Sequence, residues 1–157
     1  MTEVRVAPAQ ADCRLVADAA EAEEHHRIRR AVFVAEQGIF DGTDVDAHDA
    51  RPDVLQVVAW IDGRAAGVVR LFPLAAGDPD GEWQGDRLAV LPGFRTARVG
   101  GPLVRFAVAT AAARGGRRMV AHVQRDNRRF FERLGWTARA DEIYAGRPHV
   151  VMDIALR

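Results

Sequence analysis

The residues whose types and spacing point to chemistry lie between Leu91 and Pro102. The stretch Pro92-Gly93-Phe94-Arg95-Thr96-Ala97-Arg98-Val99-Gly100-Gly101 joins an apolar run ending at Leu91 to a segment that reads as a helix from Pro102 to about Arg114. Backbone N–H groups at a helix start have no partner inside the helix, and the helix dipole there favours negative charge. Pro102 has no N–H, so donors come from about Arg98 to Gly101 and from Leu103 onward, while Arg95 and Arg98 add charge-assisted contacts. A pyrophosphate suits such a cradle; a plain turn before a helix is the competing reading. Besides the carboxylates, groups able to carry a proton are few: one tyrosine, Tyr144, one cysteine, Cys13, and the histidines His25, His26, His48, His122 and His149.

The elements that must position these residues follow from periodicity and breakers. Arg14 to Ala17 reads as a strand. Asp18 caps a helix over about Ala19 to Gln37, with Glu21, Glu23 and Glu24 near its positive end and Ile28, Ala31, Val32 and Ala35 on its core face. Gly38 stops it. Residues 41–53, with Asp41, Asp44, Asp46, Asp49 and Asp53, form a loop that is either solvated or a negative rim attracting a cation. Val54 to Ile61 and Ala65 to Phe72 are strands joined by an Asp62-Gly63 hairpin turn. Further strands are expected at Glu82 to Leu91, Arg118 to Val123, Thr137 to Tyr144 and His149 to Leu156, with a short helix from Asn127 to Leu134. The order β α β β β α β α β β mixes hairpins with helical crossovers and predicts a mixed sheet.

Composition narrows the classes. The chain has 157 residues, 48% of them hydrophobic, with 22 basic against 22 acidic side chains. That size fits one domain over residues 1–157, with residues 1–11 a loose lead-in, able to bury a core without disulfides or metal. Every basic residue is arginine, and there is neither lysine nor serine. A P-loop lysine, a Schiff base and a serine nucleophile are therefore excluded. A balanced charge argues against a nucleic-acid binder relying on bulk positive charge. No stretch has the length of a signal peptide or membrane span, so a cytoplasmic protein with no membrane partner is expected.

Leu88-x-Val90-x-Pro92-x-x-Arg95-x-x-Arg98-x-Gly100 resembles motif A of the GNAT superfamily of N-acetyltransferases. Asn127-Arg128-Arg129-Phe130-Phe131-Glu132-Arg133-Leu134-Gly135-Trp136 resembles its motif B. Arg29 to Gln37, the Asp44-x-Asp46-x-x-Asp49 run and Gly146 to Met152 are similar to the ElaA-like branch and to N-acetyltransferases associated with nitrogen starvation. The resemblance implies the acyl-CoA N-acyltransferase fold, an α/β architecture with a central mixed sheet flanked by helices. It also implies acetyl-CoA (coenzyme A) as co-substrate, with no metal, and a small-molecule amine as acceptor; a homodimer is left open.

On that resemblance, the strand before motif A splays from its neighbour to admit the pantetheine. Leu88, Ala89 and Val90 offer main-chain partners, and an N–H near Val90 faces the oxyanion. Arg95, Thr96, Ala97, Arg98, Val99, Gly100 and Gly101 cradle the pyrophosphate. Asn127 and either Phe130 or Phe131 border the sulfur. Two positions depart from the family pattern: Arg98 stands at a usual glycine, and Phe131 where a proton-donating tyrosine is common. Removing the ammonium proton needs a base. Glu36 and His149 are its candidates, and Tyr144 is the candidate thiolate acid; a solvated helix end, a structural hydrogen bond and hairpin packing are the respective alternatives. His122 reads as a satisfied core histidine. Two other functions compete: an acyl-homoserine-lactone synthase, whose signature Arg29, Phe33 and the aspartate run also resemble, and a non-catalytic acyl-CoA-binding module.

Overall fold

The computed structural model describes residues 10–156, apart from the Thr96 side chain. The lead-in expected over residues 1–11 therefore lies outside the described residues as far as residue 9. Seven strands form one sheet in the order β1-β2-β3-β4-β5-β7-β6: β1 Asp12–Leu15, β2 Leu55–Ile61, β3 Arg64–Pro73, β4 Glu82–Val90, β5 Arg118–Gln124, β6 Thr137–Tyr144 and β7 Arg147–Ala155. All neighbours run antiparallel except β4 and β5, which are parallel. The mixed sheet and the element order are those the sequence implies. Strand β1 starts two residues earlier than periodicity suggested, because its pairing with β2 begins at Asp12 opposite Trp60 and ends at Leu15 opposite Val57.

Two helices cover opposite faces. Helix α1, Ala19–Arg29, is capped by Asp18, whose carboxylate accepts from the Glu21 N–H. It continues without a break as a π-helix, Arg30–Glu36, closed by Gln37 N–H to Val32 C=O (2.9 Å). Sequence reasoning missed that widening. It turns Val32 and Phe33 with Ile28 onto Val58, Val68 and Ala89, and leaves Glu36 and Gln37 beside β4. Helix α2, Gly100–Ala113, lies on the other face, where Leu103, Val104, Ala107 and Ala111 pack on Val57, Val69, Leu71 and Met119. Full burial of a side chain such as Leu103 contributes about 1.5–3 kcal/mol. Gly67 allows that contact: a Cβ there would stand 2.9 Å from both Ala89 O and Val99 Cγ1. Helix α3, Arg128–Arg133, supplies Phe131, which meets Trp136 edge to face (5.3 Å). Among the described residues, no helix is long and apolar enough to cross a membrane.

The acid-rich loop is a correction to the solvated-rim expectation. A 3-10 turn, Ala47–Ala50, folds it inward. Asp44 and Asp49 bind the fully buried Arg29 (2.7 Å each). Asp46 binds Arg70 (2.7 Å), which also holds Asp86 (2.7 Å). Arg87 closes the cluster on Asp44 (3.0 Å) and Asp46 (3.2 Å). Burial raises the affinity of Asp49 for a proton, but the Arg29 guanidinium and the Asp46 N–H outweigh it, holding this carboxyl below the usual range. Isolated buried carboxylates would cost several kcal/mol each, so the three arginines are what allow the loop to seat against the sheet.

Candidate functional site

β4 and β5 pair only at Glu82–Gln84 with Arg118–Val120. That end is pinned by Arg118, which reaches Glu82 (2.6 Å) and Asp153 (2.5 Å). Beyond Gln84 the ladder stops. A bulge in β4 contributes: Val68 faces Ala89 while Arg70 faces Asp86, so two β4 residues oppose Val69, and Arg87 adopts φ 53°. Leu91 N–H donates to Ala66 C=O on β3 (2.9 Å). By strand alternation, the N–H and C=O of Val90 therefore point away from β3, into the gap left by β5.

A cleft of about 670 Å³ runs along this gap. Of the residues expected to bind the cofactor, it brings together Leu88, Ala89, Val90, Arg95, Arg98, Val99, Gly100, Gly101, Asn127 and Phe130. Ala97 instead packs toward the core from a 3-10 turn, Pro92–Ala97, and Thr96 lies in the same turn with its side chain outside the described residues. Phe131 points into a neighbouring cavity. The first helical bond of this end is Leu103 N–H to Val99 C=O (3.2 Å), so the Gly100 and Gly101 N–H groups precede it and face outward. Arg98 takes a left-handed conformation (φ 56°) at the position where glycine is usual, with its side chain exposed at the cleft wall. Sequence reasoning missed Gln37, Arg105 and Arg133. The four-residue step from Gly101 to Arg105 on the helix was the available signal for one of them. With Arg95 and Arg98 they give four arginines and no acidic side chain among the described lining residues.

The catalytic candidates fall in different places. Glu36 is exposed and bound through both oxygens to Arg95 (2.5 and 2.6 Å). That hydrogen-bonded pair holds its carboxyl below the usual range, so its lone pairs are already engaged. The same Arg95 donates to Val90 C=O (3.1 Å). Gln37 bridges the gap, accepting from Gln124 on β5 (3.0 Å) and, through its carbonyl, from Arg147 on β7 (2.5 Å). Tyr144 and His149 line the neighbouring cavity, which shares Leu88 and Asn127 with the cleft. The cavity holds about 100 Å³ and is walled by Phe33, Phe40, Val104, Met119 and Trp136 on its apolar sides. His149 is buried and its Nδ1 donates to Arg147 C=O (2.8 Å). His122 was expected in the core; Met119, Ala121 and Val123 pack with α2, while alternation puts His122 on the other side of β5, half-buried, and the cavity passes between β4 and β5 and is lined from both sides. Cys13 lies on β1, three strands from β4, and burial pushes its thiol up to about 11.

The comparisons agree with this geometry. A family model described as the acetyltransferase (GNAT) family matches residues 15–136. No curated protein matches the sequence. Among solved structures, Escherichia coli ElaA superimposes with a TM-score of 0.79 at 19% identity, covering 92% of this chain and 99% of that one. An acyl-CoA N-acyltransferase from Pseudomonas aeruginosa gives 0.79 at 21% identity, over 92% and 99%. An aminoglycoside 6'-N-acetyltransferase complexed with coenzyme A gives 0.75 at 14% identity, over 93% and 97%.

Proposed function

Because the chain belongs to the GNAT acetyltransferase family and is an acyltransferase, we propose that it moves an acetyl group from acetyl-CoA to a small-molecule amine. The reading is of direct attack with both substrates bound, by a single cytoplasmic domain. One observation carries it: an arginine-lined cleft on a helix N-terminus meets an apolar, histidine-bearing cavity at Leu88 and Asn127.

Each chain element then has a task. Gly100 and Gly101 N–H groups, with Arg98, Arg105 and Arg133, hold a diphosphate and its neighbouring phosphate. Leu88 and Val90 extend main-chain groups into the gap as a strand partner for pantetheine amides. The Val90 N–H stabilises the negative oxygen that develops when the carbonyl is attacked. Phe131 has no proton to give, so we assign Tyr144 to protonate the departing sulfur. His149 presents its unprotonated nitrogen to the acceptor side. Glu36 serves as an anchor for Arg95. The remote position and raised affinity for a proton of Cys13 favour direct transfer over a cysteine-bound acyl group.

The test is thiol release from acetyl-CoA on adding primary amines, with the acetylated amine identified by mass. Amine-dependent release supports the reading; coenzyme A binding with no release across a broad panel overturns it in favour of a binding module. The Arg29–Asp44–Asp49 cluster favours a second reading, a homoserine-lactone-forming acyltransferase. Lactone formation from S-adenosylmethionine and an acyl donor would select it.

A further inference from the structure

The cavity beside the cleft holds two histidines whose proton positions are dictated by their neighbours. His122 Nδ1 meets the carboxylate of Glu142, and His149 Nδ1 meets the carbonyl of Arg147 (2.8 Å). A carboxylate and a carbonyl only accept, so each neutral ring keeps its hydrogen on Nδ1 and offers Nε2 as a bare lone pair. Neither Nε2 has a hydrogen-bond partner among the described residues. Tyr144 stands between the rings, 5.5 Å from His122 and 5.3 Å from His149. The other charged groups on the cavity wall are spent: Asp86 is held by Arg70, and Arg87 by Asp44 and Asp46. Two such acceptors on a wall whose remaining sides are apolar (Phe33, Phe40, Met119, Trp136) or neutral amides (Gln84, Gln124, Asn127) fit a group with several N–H donors on an uncharged body. Behind the wall, four aspartates (Asp44, Asp46, Asp49, Asp86) face three arginines, and the excess negative charge favours a cation.

Resting on the acyltransferase reading above, we propose that His122, oriented by Glu142, takes the proton from the acceptor's ammonium group, and that the acceptor is an apolar amine with a single charge. The ammonium gives one proton to His122 Nε2, and Glu142 balances the imidazolium that forms. The freed nitrogen pair attacks the thioester carbon, and the C–N bond forms. On collapse the C–S bond breaks and its electron pair leaves on sulfur. The nitrogen's second proton passes to that sulfur, by way of Tyr144, giving amide and thiol. His122 returns its proton to water. Glu142 touches no reacting atom and is a positioning residue. The charged and titratable groups facing His122 are Glu142 and Tyr144 from β6, His149 from β7, and Asp86 and Arg87 from β4.

The experiment measures kcat and KM for phenylethylamine and spermidine with acetyl-CoA across the range where histidine titrates, and coenzyme A binding by calorimetry on the same proteins. Wild type is expected to prefer phenylethylamine and to lose activity toward acid. His122→Gln should lower kcat about 100-fold and abolish the acidic limb, with coenzyme A affinity unchanged. Glu142→Gln should lower kcat about tenfold with KM and coenzyme A affinity unchanged, and Glu142→Asp should restore part of it. An acidic limb retained in His122→Gln, an unchanged kcat in Glu142→Gln, or a preference for spermidine overturns the proposal while leaving the acyltransferase reading intact. Loss of coenzyme A binding by the wild type would sink the reading beneath it. Should His122→Gln not fold, judged by circular dichroism, the Glu142 pair decides through kcat and its rescue by aspartate.

Discussion

Arg70→Met removes the central cation of the buried cluster, and its cost follows from what is left behind. Arg70 is fully buried and touches three carboxylates: Asp46 (2.7 Å), Asp49 (3.0 Å) and Asp86 (2.7 Å). Asp49 keeps Arg29 and Asp46 keeps Arg87 after the change. Asp46 is also a third exposed, so water recovers part of its solvation. Asp86 is left with only the Gln84 amide (3.2 Å). Stranding this largely buried carboxylate costs about 3–5 kcal/mol, which lowers a urea midpoint by about 2 M for a domain of this size. Replacing both partners, Arg70→Met with Asp86→Leu, removes the stranded charge and should recover most of that loss, because apolar groups of similar volume substitute for buried ion pairs at little cost. Equilibrium urea unfolding of the three proteins reads both numbers. A single-variant loss under about 1 kcal/mol, or a double variant weaker than the single, would refute the reasoning.

Three further outcomes are expected. Gly100→Asp sets a negative charge beside the anion cradle and should weaken coenzyme A binding about thirtyfold, roughly 2 kcal/mol at short range in a wet cleft. Gly100→Ala, whose Cβ would meet the movable Phe130 ring at 3.3 Å, should bind nearly as wild type; equal loss in both, seen by calorimetry, would make the effect steric. Arg98→Gly relieves a left-handed arginine (φ 56°) and should stabilise the fold by about 1 kcal/mol while weakening coenzyme A binding and its salt dependence; tighter binding would mean that Arg98 obstructs the cleft. His25 is buried, which pushes its pKa from 6.5 down to about 3 despite a hydrogen bond to Val69 C=O. The unfolded chain therefore binds the extra proton between those values. Stability falls as pH drops through that window, by up to about 1.4 kcal/mol per unit. His25→Leu should flatten that part of the pH–stability curve, and parallel curves would count against it.

Much of the frame was legible because its signals are local. Asp18 caps α1, Asp62-Gly63 turns the β2–β3 hairpin with both φ positive, and the Leu88 to Gly101 spacing marks the cleft. What escaped depends on partners distant in sequence. Arg70 and Asp46 are 24 residues apart, and Arg87 and Asp44 are 43, so the acidic loop looked solvated until the sheet brought arginines beneath it. The π-helix has no compositional marker distinct from an α-helix. His122 was misread as core although its strand alternates Met119, Ala121 and Val123 inward; Glu142, which its Nδ1 meets, lies 20 residues on, beyond β7. Glu36 looked free at a helix end, and only the folded chain sets it 59 residues from Arg95 in sequence yet in contact.

The central claim is that the cleft between β4 and β5 grips the diphosphate of an acyl-CoA. Calorimetric titration of acetyl-CoA into the wild-type protein tests it most directly. The account predicts one site per chain with about micromolar affinity, weakening as salt rises and weakened again in Gly100→Asp. Absence of heat at about millimolar acetyl-CoA, or binding indifferent to both salt and Gly100→Asp, would contradict it.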